Sequence, residues 1–133
     1  MHPHSFDHVA VAVTSIAASR PLYELVTGQS CSQVETLPDQ GVDVAFVGSV
    51  ELLEPRHPDT PVGRFLARNG PGLHHVAFRV PDIEKALAQF IERGYDAVDE
   101  APRPGARGHR VAFLHPSSTG RVLIELVEGP TAG

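Results

Sequence analysis

The chain has one cysteine, Cys31, so it can form no internal disulfide and no cysteine-rich zinc site. No apolar run approaches the roughly 18 residues that a membrane span requires. The N-terminal "MHPHSFDH" lacks the basic and apolar regions of a signal peptide, which predicts an intracellular, cytoplasmic protein. Its His2 and His4 are read as an ordinary terminus rather than a metal-binding tail. Positive charge is also scarce, with 11 Lys and Arg against 16 Asp and Glu and a net charge of -5. A nucleic-acid backbone needs a basic face, and none is evident. A small anionic ligand is not excluded, because a few local arginines can bind one. What is present is ordinary for a globular protein: 41% hydrophobic and 20% charged residues over 133 positions. That length supports one domain with a real core.

Periodicity places the elements. "HVAVAV" (8–13) is a β-type run, and "TSIAASRPLYELVTG" follows it as a helix. Thr14 or Ser15 caps that helix, Ile16, Leu22, Leu25 and Val26 supply its apolar face, and Gly28 ends it. Pro21 belongs in the first turn or kinks the helix. "GVDVAFVGSVELLEP" reads as a hairpin with a glycine-first turn at Gly48–Ser49. "VGRFLARNG" (62–70) is a short helix. The order then recurs: strand "HVAFRV" (75–80), helix "PDIEKALAQFIERG", loop "EAPRPGARGH", and strands "RVAFLHP" and "RVLIELVEG". Pro81 and Asp82 open the second helix, Ile83, Leu87, Phe90 and Ile91 form its stripe, and Gly94 closes it.

The recurrence is a repeat. His8 falls on His75, the spacing from histidine to closing glycine is 20 in one copy and 19 in the other, and Glu51 falls on Glu125. The reading is an α+β fold of paired βαβββ modules, forming a curved mixed sheet around a metal-containing cleft. One domain spans 1–133, with module one over about 6–56, a connecting helix over about 60–70 and module two over about 73–128.

Strand alternation sorts the faces. Val9, Val11 and Val13 oppose His8, Ala10 and Ala12, while Val76, Phe78 and Val80 oppose His75, Ala77 and Arg79. The bulky faces suit packing under helices. The faces with Ala10 and Ala77 suit a cavity wall, and Glu51 and Glu125 point away from their apolar neighbours. A strand histidine or glutamate taken singly is usually structural or solvated. Two His–Glu pairs under one repeat form a donor set. A carboxylate amid "VLIEL" needs compensation, and a divalent cation supplies it. Two imidazoles and two carboxylates suit Co²⁺, Ni²⁺, Zn²⁺, Mn²⁺ or Fe²⁺, with Mg²⁺ also open. His74 aligns with Asp7 and is read as packing or capping where the strand begins.

These residues carry a family resemblance. The pattern resembles the vicinal oxygen chelate superfamily of glyoxalases, dioxygenases and bleomycin-resistance proteins. Within it, the methylmalonyl-CoA epimerases are the more similar family, over nearly the whole chain. "GLHHVAFRV" and "FLHPSSTGRVLIEL" are the most specific stretches; "DHVAVAV" and "VELLEP" also match. The resemblance implies metal ligands at His8, Glu51, His75 and Glu125, a preference for cobalt or a similar ion, and a homodimer. It implies inversion of the α-carbon of a malonyl-type CoA thioester, most simply methylmalonyl-CoA, through a metal-stabilised enolate, with Glu125 as one acid/base group.

The chain departs from the family at Val44, where some epimerases place a glutamate and others also lack it. The second acid/base group is therefore open among Glu51, a water and a shifted Asp43. Val44 would then line the substrate cavity beside Ala10 and Ala77. The hairpin "VGSV" is shorter than the family connection, which alters the cavity rim. Arg103, Arg107 and Arg110 are either contacts for the nucleotide end of CoA, Arg107 foremost, or solvated loop residues. His115 either shapes the cavity or caps the following turn. The alternative functions are another enzyme of the superfamily (lyase, isomerase or cyclase) and a ligand-sequestering resistance protein.

Overall fold

The computed structural model describes residues 4–129. In chain order its elements are β1 (Ser5–Ala12), α1 (Ile16–Thr27), β2 (Glu35–Leu37), β3 (Val42–Val47), β4 (Val50–Pro55), α2 (Pro61–Asn69), β5 (Gly72–Val80), α3 (Ile83–Glu92), β6 (Arg103–Pro104), β7 (Arg110–Leu114) and β8 (Ile124–Glu128). The class is mixed α+β, and the strand–helix–three-strand order occurs twice. Packing resolves two compact units, residues 9–74 and residues 4–8 with 75–129.

In the first unit the strands run in the order β2-β3-β4-β1, with β1 parallel to β4 and the other pairs antiparallel. Gly48, at φ 59, makes the two-residue turn of the β3–β4 hairpin. The core joins Val11, Val13, Ile16, Ala45, Val47 and Leu52 under α1. Ser15 caps α1 by accepting the Ala18 N–H at 3.1 Å, and Gly28 closes it in the left-handed region at φ 70. Pro21 lies inside α1, where it withholds one backbone donor.

The apolar face expected for α1 is corrected by the structure. Ile16 is buried, but Leu22, Leu25 and Val26 are 60%, 82% and 74% exposed. The phase is set by Ile16, whose N–H donates to Glu54 Oε1 at 2.7 Å and fixes which side faces the sheet. At 3.6 residues per turn, Leu25 falls about 180° around the helix from Ile16. Tyr23, close to two turns on, packs against the core in its place.

The second unit has the order β5-β8-β7-β6, with β5 parallel to β8. Its core gathers Val80, Ile83, Ala86, Leu87, Ala112, Leu114 and Leu126, with Phe90 packed against it. Asp82 caps α3 by accepting the Lys85 N–H. Ile91, expected in the buried stripe, is 48% exposed at its margin. Ile83 N–H donates to Glu128 Oε2 at 3.0 Å, repeating the Ile16–Glu54 contact in the matching place. Each helix start is thus tied to the last strand of its own module. The copies differ in their final hairpin, which uses two residues in the first and the nine residues 115–123 in the second.

Candidate metal centre

The first unit carries the first copy of the donor pattern. Glu51 is buried on β4, in register with Ala10 of β1 and Phe46 of β3. Val44 lies two residues from Phe46 on the same face and is 1% exposed. Asp43 faces as strand alternation predicts. It sits on the opposite face, accepting from Thr36 Oγ1 at 2.6 Å and Arg56 Nη1 at 3.0 Å. The Thr36 hydroxyl first and then Arg56 hold its carboxyl below the usual range. His74, at the start of β5, turns its ring edge-on to Phe65 at a centroid distance of 4.9 Å, the packing role expected of it.

The second unit repeats the register. Glu125 on β8 pairs with Ala77 of β5 and Phe113 of β7. His8, His75 and Glu125 are all buried, and a ligand atom from each lies within 4.8 Å of the others. One oxygen, Glu125 Oε1, is 3.2 Å from His75 Nε2 and 3.2 Å from His8 Nε2. Burial alone would raise the Glu125 pKa, but the contacts with His75 and then His8 outweigh it and bring the carboxyl to about 2. Phe113 packs its ring edge-on to His75 at 5.3 Å, and Ala77, Val111 and Val127 close the same face.

The donor set fits a metal ion on chemistry and spacing. Ligand atoms bound at about 2.1 Å and adjacent to one another lie roughly 3.0–3.4 Å apart in octahedral or tetrahedral geometry. The 3.2 Å separations fall within that range. The His8 ring is backed as well: its Nδ1 lies 2.6 Å from Asp7 Oδ2, and Arg79 Nε donates to Asp7 Oδ1 at 2.8 Å. The hydrogen bond from His8 is the largest influence on Asp7 and, with Arg79, brings its pKa to about 2. A carboxylate behind one ring nitrogen is the usual support of a metal-binding histidine.

A family model described as the glyoxalase/bleomycin resistance protein/dioxygenase superfamily matches residues 7–113. An uncharacterised Bacillus subtilis protein is 42% identical over 92% of this chain and 90% of its own length. The mitochondrial methylmalonyl-CoA epimerase of Bos taurus is 39% identical over 90% of this chain and 71% of its own. A solved methylmalonyl-CoA epimerase in complex with methylmalonyl-CoA and ammonium superposes with a TM-score of 0.89 at 32% identity, covering 96% of each chain. The chain belongs to the glyoxalase/bleomycin resistance/dioxygenase superfamily. Within that superfamily it belongs to the methylmalonyl-CoA epimerase family, a family of isomerases.

Other residues singled out in the sequence fall elsewhere in this superfamily member. His115 caps the turn after β7, its Nδ1 accepting the Ser117 N–H at 3.1 Å, and it is exposed. Arg110 is committed to Glu84 at 2.7 Å and to Glu128 at 3.0 Å, and Arg103 faces Asp99 at 3.6 Å. Arg107 is exposed on a short turn, with a left-handed φ of 61. Ala10 and Ala77 are fully buried on the histidine-bearing strands. His4 has its ring 6.3 Å from Phe90, and His2 lies outside the described residues. Sequence reasoning missed Asp7 and Arg79. The available signal was Arg79 itself, a cation on the His75–Ala77 face that must find a partner.

Proposed function

We propose that the chain is a metal-dependent epimerase that inverts the α-carbon of a malonyl-type CoA thioester, most simply methylmalonyl-CoA. The carrying observation is the buried His8–Glu125–His75 group, in a chain whose relatives are named for that reaction. His8, His75 and Glu125 would hold a divalent cation, with Glu51 as fourth ligand. Glu51 is proposed from the repeat, since it stands to Ala10 as Glu125 stands to Ala77. Among candidate ions cobalt is favoured over nickel, zinc, manganese, iron and magnesium. When bound, the ion supplies Lewis-acid stabilisation of charge developing on a thioester oxygen.

The side chains then supply proton transfer and shape. Inversion needs one group to take the α-proton from one face of the carbon and another to deliver a proton to the opposite face. Glu125 takes the first role and Glu51 the second. Asp43 is not assigned that role, because it is paired with Arg56. Val44 contributes shape only, since it has no proton to move. Phe46 and Phe113, beside the two glutamates in register, exclude water that would quench the carbanion. Arg107 is proposed to meet a phosphate of CoA. The retention of both histidines and the carboxylates favours an enzyme over a sequestering protein. Association of two copies, taken from the resemblance, and a cytoplasmic location are further proposals. Among the described residues no helix is long and apolar enough to cross a membrane.

The test is to incubate cobalt-loaded protein with a single epimer of methylmalonyl-CoA in D₂O. Deuterium uptake at the α-carbon with loss of chirality is expected, and exchange no faster than the spontaneous rate overturns the reading.

A further inference from the structure

We propose that Arg79 and Asp7 are positioning residues for His8, with Arg79 locking Asp7 so that the His8 ring keeps its Nδ1 proton on that carboxylate and turns Nε2 toward Glu125 and His75. The inference rests on the metal reading above and concerns how this chain prepares its own ligand. An ionised carboxylate only accepts hydrogen bonds, so the proton in the 2.6 Å Asp7–His8 contact comes from Nδ1. With Nδ1 carrying that proton, a neutral His8 has its lone pair on Nε2, the nitrogen lying 3.2 Å from Glu125 Oε1. Metal binding needs that tautomer and that ring orientation.

Arg79 completes the arrangement. It donates to Asp7 Oδ1, leaving Oδ2 for His8, so the two oxygens are divided between the two partners. The Asp7 side chain is 8% exposed, and a buried carboxylate without a cation would be costly to keep ionised. Arg79 Nε and Nη2 both reach Oδ1, so the guanidinium saturates that oxygen and leaves Oδ2 to His8. The pair spans 72 residues of sequence, so the orientation of His8 depends on the folded unit. The other copy does not repeat these two residues. In the other copy, the positions matching Asp7 and Arg79 hold His74 and Ala12. His74 lies against Phe65, and Ala12 has no polar atom in its side chain.

The test uses the full chain, labelled with ¹⁵N-histidine and loaded with zinc, a diamagnetic probe. Two readings are taken: zinc affinity by competition with a chromophoric chelator, and the ¹H–¹⁵N signals of His8. In the wild type His8 binds through Nε2, with a slowly exchanging Nδ1–H. Asp7→Asn weakens zinc binding by about 10- to 100-fold, the usual effect of losing a ligand's supporting carboxylate. Arg79→Gln weakens it by about three- to tenfold and speeds Nδ1–H exchange, and Arg79→Lys restores part of both, since a cation remains without the planar fork. Thermal melts confirm folding; if Asp7→Asn fails to fold, the Arg79 variants decide. Wild-type affinity and unchanged His8 signals in Arg79→Gln overturn the proposal alone, as does His8 bound through Nδ1. A wild type that takes up no zinc overturns the metal reading and this inference together.

Discussion

Glu125 Oε1 lies 3.2 Å from His75 Nε2, fifty residues away along the chain, and both side chains are buried. The contact follows from the parallel pairing of β5 with β8, which sets Ala77 opposite Glu125. Within one strand of this pair, "HH" offers two histidines, and pleating sends only His75 to the Glu125 face.

The two histidines should therefore separate cleanly on substitution. His75→Ala is expected to lose stoichiometric metal, measured by elemental analysis after dialysis. His74→Ala should retain it and lose only about 0.5–1.5 kcal/mol of stability in denaturant unfolding, the worth of an aromatic edge contact. Full metal retention in His75→Ala would place the ligand elsewhere.

The second acid/base group can be tested against its rival. Glu51→Gln is expected to reduce α-proton exchange by about 100-fold or more, the typical contribution of a positioned acid/base group. Asp43→Asn should stay within about twofold of wild type, because its carboxylate answers Arg56 and Thr36 on the other face. A large loss in Asp43→Asn, with Glu51→Gln active, reverses the assignment.

Acid sensitivity should follow the carboxylates that anchor helices and strands. Arg110 first, and then the Ile83 N–H, holds the Glu128 pKa below its ordinary value. A depressed carboxyl contributes stability above its unfolded pKa, about 4.3, and loses it as pH falls through the folded value. Glu128→Gln should therefore flatten the decline in stability below about pH 4, read by urea unfolding at successive pH values. An unchanged slope would show that the Arg110 contact contributes nothing to folding.

Helix anchoring gives a further expectation. Glu54→Ala removes the acceptor for Ile16 N–H and should cost about 1 kcal/mol, the usual worth of such a terminal contact. Glu54→Gln keeps an acceptor and should recover most of that loss in chemical unfolding.

These contacts also explain what could be read from the sequence. His8, Glu51, His75 and Glu125 were legible because strand alternation and an internal repeat are local patterns in the letters. The buried side of α1 was not, because Ile16 and Glu54 fix it across 38 residues. Leu22, Leu25 and Val26 obey a helical period whose phase lies outside the helix. Asp7 and Arg79 escaped because their contact has no counterpart in the other copy, so the repeat gave no second instance. The sequence offers His115 two roles because its turn contact is a side-chain to backbone bond, Ser117 N–H to His115 Nδ1, that no periodicity encodes.

The most direct measurement is the rate of α-deuterium uptake by one methylmalonyl-CoA epimer as cobalt is returned to metal-stripped protein. The rate should rise in proportion to occupancy and level off at one ion per chain, with the stripped protein near the spontaneous rate. Full exchange by the stripped protein, or none at full occupancy, would contradict a metal-dependent epimerase built on His8, His75 and Glu125.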